Sequence, residues 1–172
     1  FYFEDEFGGI KIRKPSLPGD FQLENISTAI AAARQLTGYK ITDKHIKSGI
    51  NKIESIARLQ VLKSGKLKNL VKNNLIFVDG SHNPLGAKVL NTYLESLDCR
   101  KHIILGMMAN KDHNEYMSYF KDIKSITTID IPNQPNAIKG CVLKEKIKNF
   151  KVVKHQSSIE SAIRSIDIQE ND

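Results

Sequence analysis

From residue 74 onward the chain alternates short apolar runs with amphipathic stretches, and this alternation restricts the fold more than any other feature. Strand and helix in strict turn imply a parallel sheet with right-handed crossovers. The run Leu75-Ile76-Phe77-Val78 predicts a strand over 75–79. A helix over 84–97 follows, with Leu90, Tyr93, Leu94 and Leu97 facing inward. A strand over 102–106 then leads to a helix opening at Asp112, where Glu115 completes a capping box and Tyr116, Phe120 and Ile123 line the inner face. The pattern continues with a strand over 125–131, a helix around 139–148 and a strand over 150–153. The last helix is capped by Ser157, with Ile159, Ala162, Ile163 and Ile166 turned inward, and the polar residues 167–172 read as frayed. The expected class is α/β, a doubly wound, mostly parallel sheet.

The segment Asp79-Gly-Ser-His-Asn-Pro84 interrupts this pattern at an informative place. It puts an acid and an imidazole at the carboxyl end of a predicted strand, just before a helix. Ligands of open α/β sheets bind in the crevice outside those strand ends. The Asp79 carboxylate offers several lone pairs to a diol, and the His82 imidazole can donate, accept, or change charge near neutral pH. The same residues also suit a plain connection: Asp79 can cap the next turn, while Asn83 and Pro84 launch the helix.

The first 73 residues read differently. Two short strands joined at Gly8-Gly9 fit residues 1–16, and alone they would be marginal. A helix over 21–37 carries Ile26, Ile30, Ala33 and Leu36 on one face and stops at Gly38. A second helix, capped by Thr42, points Ile46, Ile50 and Ile53 inward. A connection over 55–72 follows, lysine-rich around Gly65, with Leu59, Val61 and Leu62 suggesting a short strand.

Composition narrows the functional classes. There is no run of about 18 apolar residues, hence no expected membrane span, and residues 1–7 lack the layout of a secretory signal. Cys99 and Cys141 form no close pair and read as reduced thiols of a cytoplasmic protein. No histidine stands at ligand spacing from His82, so no metal site is expected. The net charge of +7 gathers between Lys40 and Lys72, where nine basic residues face Asp43 and Glu54. Without interleaved aromatics this stripe does not read as a nucleic-acid surface. It is a solvated face or a field for an anionic substrate.

Four segments, in order, resemble one family. Leu17-Pro-Gly-Asp-Phe-Gln-Leu-Glu-Asn25, before an Ile/Ala helix, is similar to the segment closing the central domain of folylpolyglutamate and dihydrofolate synthases. Arg58-Leu59-Gln60 resembles the arginine segment at their domain hinge. Asp79-Gly-Ser-His-Asn-Pro84 resembles their aspartate-glycine-alanine-histidine-asparagine-proline motif, and Gly106-Met-Met-Ala-Asn-Lys111-Asp112 their later glycine–lysine–aspartate loop. The chain departs from the pattern at Phe21, which replaces a histidine, and at Ile56-Ala57, which replace proline-glycine. It also departs at Gln60, which replaces a glutamate, and at Ser81, which replaces an alanine.

The resemblance implies a fold, a chemistry and roles. Residues 1–55 would be the end of a central ATP-binding domain (a β-hairpin and αα remnant), 56–73 a hinge and connection, and 74–172 a Rossmann-like Mur ligase C-terminal domain, incomplete at its end. The activity would be ATP-dependent addition of L-glutamate to dihydropteroate or a folate through an acyl phosphate. Asn25 would pair with the adenine edge, Asp79 would accept from the ribose hydroxyls, and His82 would lie near the phosphates. Arg58 would reach the terminal phosphates from the hinge, a planar guanidinium being suited to them. Arg58 and His82 are thus the catalytic candidates, and Asn25, Arg58, Asp79 and His82 the nucleotide-binding ones. ATP and Mg2+ are the implied cofactors. No loop ending in Gly-Lys-Ser/Thr occurs in this sequence, so the phosphate cradle and most Mg2+ ligands would belong to an amino-terminal portion. These 172 residues are expected to be inactive alone and monomeric within the complete enzyme. The other readings are a non-catalytic α/β module that binds an anion or a protein, and a fragment of a muramyl-type amide ligase.

Overall fold

The computed structural model describes residues 1–172 apart from 16, 148, 149, 151 and 171. The chain divides into two units, Phe1–Gln60 and Val61–Asp172. In the first, β1 (Tyr2–Asp5) and β2 (Gly8–Lys11) form an antiparallel hairpin that sets Phe3 opposite Ile10. Gly8 takes a φ of 102° at the turn, a conformation open to glycine and costly for other residues. Helices α1 (Phe21–Arg34) and α2 (Asp43–Asn51) turn Ile26, Ile30, Ile46 and Ile50 onto Ile10 and Ile12. Each buried isoleucine contributes about 2 kcal/mol by leaving water.

Local chemistry sets the ends of these helices. The Thr42 hydroxyl accepts from the His45 N–H while the His45 ring accepts from the Thr42 N–H, a reciprocal cap on α2. α1 stops at Arg34, three residues before the predicted end at Thr37. The Arg34 guanidinium donates to Asp5 at 2.6 Å, to the Gly8 carbonyl at 2.7 Å and to Asp43 at 3.0 Å, tying the hairpin to both helices. Beyond it the chain turns away through Gly38, so Leu36, expected on the inner face, is exposed.

The second unit contains the parallel sheet. β5 (Lys101–Leu105), β6 (Ile123–Ile129) and β7 (Val153–Gln156) pair in that order, both pairs parallel, with Ile103 opposite Ile126 and Ile126 opposite Val153. Helices α4 (Pro84–Glu95), α5 (His113–Ser118) and α6 (Gly140–Lys146) cover one face. Ala87, Leu105, Tyr116, Met117, Ile126 and Leu143 form the center of that core. On β6, Ile126 and Thr128 share this face and Thr127 takes the other, yet all three are buried. α7 (Ile159–Ser165) packs along all three strands, and α3 (Lys66–Leu70) packs against α7. Helices therefore lie on both faces, as an α/β fold with parallel strands requires.

Six expectations change. The strand expected over 75–79 is only β4 (Phe77–Val78), and it pairs with β3 (Gln60–Val61) instead of joining β5. Alternation dictates strand direction but not neighbor, and here the Leu62 N–H takes the Ile76 carbonyl at 2.9 Å. The lysine-rich connection holds an unpredicted helix, α3, whose Lys68 ammonium donates to the carbonyls of Lys72 and Asn74 beyond it. α5 is short, so Ile123 opens β6 instead of lining a helix, although it still packs on the same core. α7 is capped by Ser158, not Ser157; the one-residue shift leaves Ile159 exposed while Ala162 and Ile163 stay buried. Residues 167–172 are not frayed throughout, since the buried Asp172 carboxylate accepts from Arg100 at 2.6 and 3.0 Å. β7 begins at Val153, later than predicted; Lys151 of the expected strand and Lys148 of the expected helix lie outside the described residues.

Candidate functional site at the strand exits

The loop leaving β4 is built from its own polar side chains. The Asp79 carboxylate, half-buried, accepts from the Ser81 N–H at 2.8 Å. Asn83 caps α4 by accepting from the Gly86 N–H at 2.8 Å, and Pro84 takes the first helical position, where an N–H has no partner to lose. A side chain at position 86 could not be accommodated: its Cβ would stand 2.9 Å from that of Ser81. His82 is exposed, with Nδ1 3.0 Å from the Gly80 carbonyl oxygen. The motif thus presents an acid fixed by the turn and an imidazole open to solvent.

The neighboring exits are joined by backbone hydrogen bonds. In the loop after β5, the Ala109 N–H donates to the Asn136 carbonyl at 2.9 Å, and the Ile138 N–H returns to the Met107 carbonyl at 3.0 Å. Asp130 accepts from the Gly140 N–H at 2.7 Å at the start of α6. Asp112 caps α5 through the Glu115 N–H at 2.9 Å, which accounts for that aspartate without a ligand. Lys111 is half-exposed and forms no ion pair among the described residues.

Tyr116 connects this region to the motif. Its ring is buried beside Phe120, and its hydroxyl lies 2.9 Å from the Ser81 Oγ. Burial raises its pKa above the ordinary phenol value; the Ser81 hydrogen bond works against that shift, and the Asp79 charge adds to it. Tyr116 sits in the core as its helix face predicts, and its contact with Ser81 is an addition that the sequence pattern does not place. The signal was present, because a tyrosine on an inner face must find a partner for its hydroxyl.

The other two candidates lie in the first unit. Asn25 is exposed on α1, and its amide donates to the buried Gln22 at 3.1 Å. Arg58 is exposed between Ala57 (φ 54°) and the buried Leu59 (φ 49°), both in the left-handed region. A left-handed alanine costs about 1 kcal/mol that glycine avoids, which rationalizes the glycine in the segment this turn resembles. Gln60 Oε1 accepts from the Ala57 N–H at 3.0 Å, a contact a glutamate could also make.

The fit to a metal is poor. Among the described residues no group of three or more His, Cys, Asp or Glu is placed to hold an ion. Mg2+ therefore has no ligand set here, and no step is derived through it. No helix among those residues is long and apolar enough to cross a membrane.

The fold is an α/β domain with parallel strands and polar loops at the strand exits, and comparison with known proteins gives its family. Residues 57–172 match the family model described as Mur ligase, glutamate ligase domain. The chain belongs to the Mur ligase superfamily, as the C-terminal portion of a member of its folylpolyglutamate synthase–dihydrofolate synthase family. It is similar to the folylpolyglutamate synthase of Lacticaseibacillus casei, with 28% identity over 143 residues, covering 80% of this chain and 32% of the relative. It is also similar to the dihydrofolate synthase/folylpolyglutamate synthase of Haemophilus influenzae, with 27% identity over 126 residues, covering 66% of this chain and 29% of the relative. The Mycobacterium tuberculosis folylpolyglutamate synthase, solved with ADP and AMPPCP, shares the fold at a TM-score of 0.76 and 20% identity, over 91% of this chain and 35% of that one. The chain spans about a third of the length of these two curated relatives.

Proposed function

We propose that this chain forms the glutamate side and one wall of the nucleotide site of an ATP-dependent ligase that adds L-glutamate, in amide linkage, to dihydropteroate or a folate. In this reading the acceptor carboxylate attacks the γ-phosphorus of ATP, ADP leaves, and an acyl phosphate remains. The glutamate amine then displaces phosphate and gives up a proton. The protein's contribution is alignment of anionic reactants and stabilization of developing phosphate charge.

The observation that supports the reading most is the Asp79 carboxylate, held by the Ser81 N–H at the exit of a strand within a glutamate ligase domain. We assign Asp79 to the ribose hydroxyls, His82 to the neighborhood of the phosphates, Arg58 to the terminal phosphates, and Asn25 to the adenine edge. The partners are ATP, L-glutamate and the pterin or folate acceptor, without nucleic acid or membrane, in a cytoplasmic enzyme that acts as a monomer. Mg2+ belongs with the P-loop-bearing portion, which this chain needs for turnover.

Ligation with product identification tests the proposal. The chain alone should form no glutamyl product. Joined to the P-loop-bearing remainder of such a ligase it should do so, and Arg58→Ala should then depress turnover more than nucleotide affinity, because its charge partner forms during transfer. Product formed by the chain alone, or an Arg58→Ala enzyme of undiminished turnover, would overturn the assignment.

A further inference from the structure

The contact between Tyr116 and Ser81 joins residues 35 apart in sequence and two separate strand exits. Three observations show that it constrains the Asp79 loop. The Tyr116 ring is only 4% exposed, so its hydroxyl reaches Ser81 from a fixed base in the core. Ser81 is confined from the other side by the first turn of α4, where even a Cβ on Gly86 would come within 2.9 Å of the Ser81 Cβ. The Ser81 N–H, one residue's backbone away from that hydroxyl, donates to Asp79 at 2.8 Å. The phenol keeps its proton at neutral pH, so one of the two hydroxyls always has a proton to give the other.

We propose that Tyr116 is a positioning residue: through the Ser81 hydroxyl it fixes the turn whose backbone N–H orients the Asp79 carboxylate. The chain of contacts runs from core to phenol, from phenol to serine, and from serine N–H to acid. Tyr116 touches no reactant in this scheme. It removes rotational freedom from the group that meets the ligand, so the entropy of ordering that group is lost on folding and not on binding. The inference rests on the nucleotide reading only for what Asp79 receives; the orientation of the acid stands on geometry alone.

The test uses the 15N- and 13C-labeled chain with Tyr116→Phe, Ser81→Ala and the double variant. Tyr116→Phe keeps the buried ring and leaves the serine hydroxyl half-exposed, where water can replace its partner. Loss of one hydrogen bond should speed exchange of the residue-81 amide about three- to tenfold and shift the Asp79 carboxyl carbon resonance, while amides of β5 and β6 exchange as before. Ser81→Ala should speed that amide at least as much, because it also leaves the buried phenol without its partner, and the double variant should be no faster than Ser81→Ala. An unchanged residue-81 amide in Tyr116→Phe overturns the proposal. So do additive effects in the double variant, or a uniform rise in exchange across the sheet, which would mark a merely structural role. A separate arm measures ATP binding by the chain joined to the P-loop-bearing remainder of such a ligase, with and without Asp79→Ala. If Asp79→Ala leaves ATP affinity unchanged while the coupling above is observed, the nucleotide reading of Asp79 falls and the positioning role stands.

Discussion

The amino ends of the parallel strands and the loops that leave β4 and β5 treat charge in opposite ways. At the amino ends of β5 and β6, Arg100 and Asp172 form a two-point ion pair, His102 Nδ1 lies 2.6 Å from the Ser125 hydroxyl, and His102 Nε2 lies 3.4 Å from Asp172. The Asp172 side chain is only 5% exposed, and the Gln169 N–H donates to it as well. In the loop after β4, which pairs with β3 and not with this sheet, His82 is exposed; in the loop after β5, Lys111 is half-exposed; neither forms an ion pair among the described residues. One edge satisfies its charged groups internally and serves stability. The other holds its acid in place with a backbone N–H and leaves the His82 ring exposed and the Lys111 side chain half-exposed, the arrangement expected where an anionic ligand arrives.

Substitution of the two aspartates should separate the edges most clearly. Asp172→Ala removes both bonds to Arg100 and the acceptor for the Gln169 N–H. Its cost should be about 2 kcal/mol, moderated because the Arg100 side chain can regain water. Asp79→Ala should cost under about 1 kcal/mol, since the residue is half-buried in a surface turn. Urea unfolding of both variants measures the contrast. Equal losses would mean that the two edges do not divide stability from ligand chemistry.

Acid should sharpen the comparison with a smaller effect. Burial lowers the His102 pKa, although Asp172 favors the charged ring. As pH falls, the unfolded chain takes up a proton first, so the stability contributed by the neutral ring is complete above the unfolded value of about 6.5 and declines below it. For Asp172, burial favors the neutral acid, but hydrogen bonds from the Gln169 N–H and Arg100, with the charges of His102 and Arg100, hold its pKa below the ordinary carboxylate value. Its contribution is present above about 3.9 and is lost as pH falls through the depressed value. Both groups therefore destabilize the fold on acidification, in two steps. In His102→Asn the upper step should disappear while the lower one remains, measured as urea midpoints from pH 7.5 downward. A midpoint that rises between pH 7 and 5 would reverse the sign of the argument.

Much of the fold was legible because its signals are local. Caps need neighbors only three residues away: Thr42 with His45, Asn83 with Gly86, Asp112 with Glu115. The placement of the 79–84 loop at a strand exit followed from the same local patterning. What sequence could not supply was pairing at a distance. The Arg100–Asp172 pair spans 72 residues, and its acid sits in a polar tail that reads as loose chain. The choice of β3 as partner for β4 also depends on which edge is nearest in space, which alternation does not encode. Ser81 reads from sequence only as a replacement for an alanine, because its meaning depends on Tyr116 of α5.

The lysine connection supplies the smallest expected effect, and the structure divides it unevenly. Lys68 bonds the carbonyls of Lys72 and Asn74, so its neutralization would disturb the chain beyond α3 and would not report on field alone. Lys63 and Lys66 are exposed and form no ion pair among the described residues. Their charges act on a ligand only through solvent, over a Debye length of about 8 Å at physiological salt. Replacing both with alanine should therefore change stability by no more than about 0.5 kcal/mol. It should leave ATP-induced shifts at residues 79–82 unchanged at that salt, with a small loss appearing only when salt is lowered. If the double variant instead abolished those shifts at physiological salt, as Asp79→Ala should, the attraction would be general charge. The carboxyl edge would then lose its claim to a directed contact, and Asp79 would be a turn residue like Asp112.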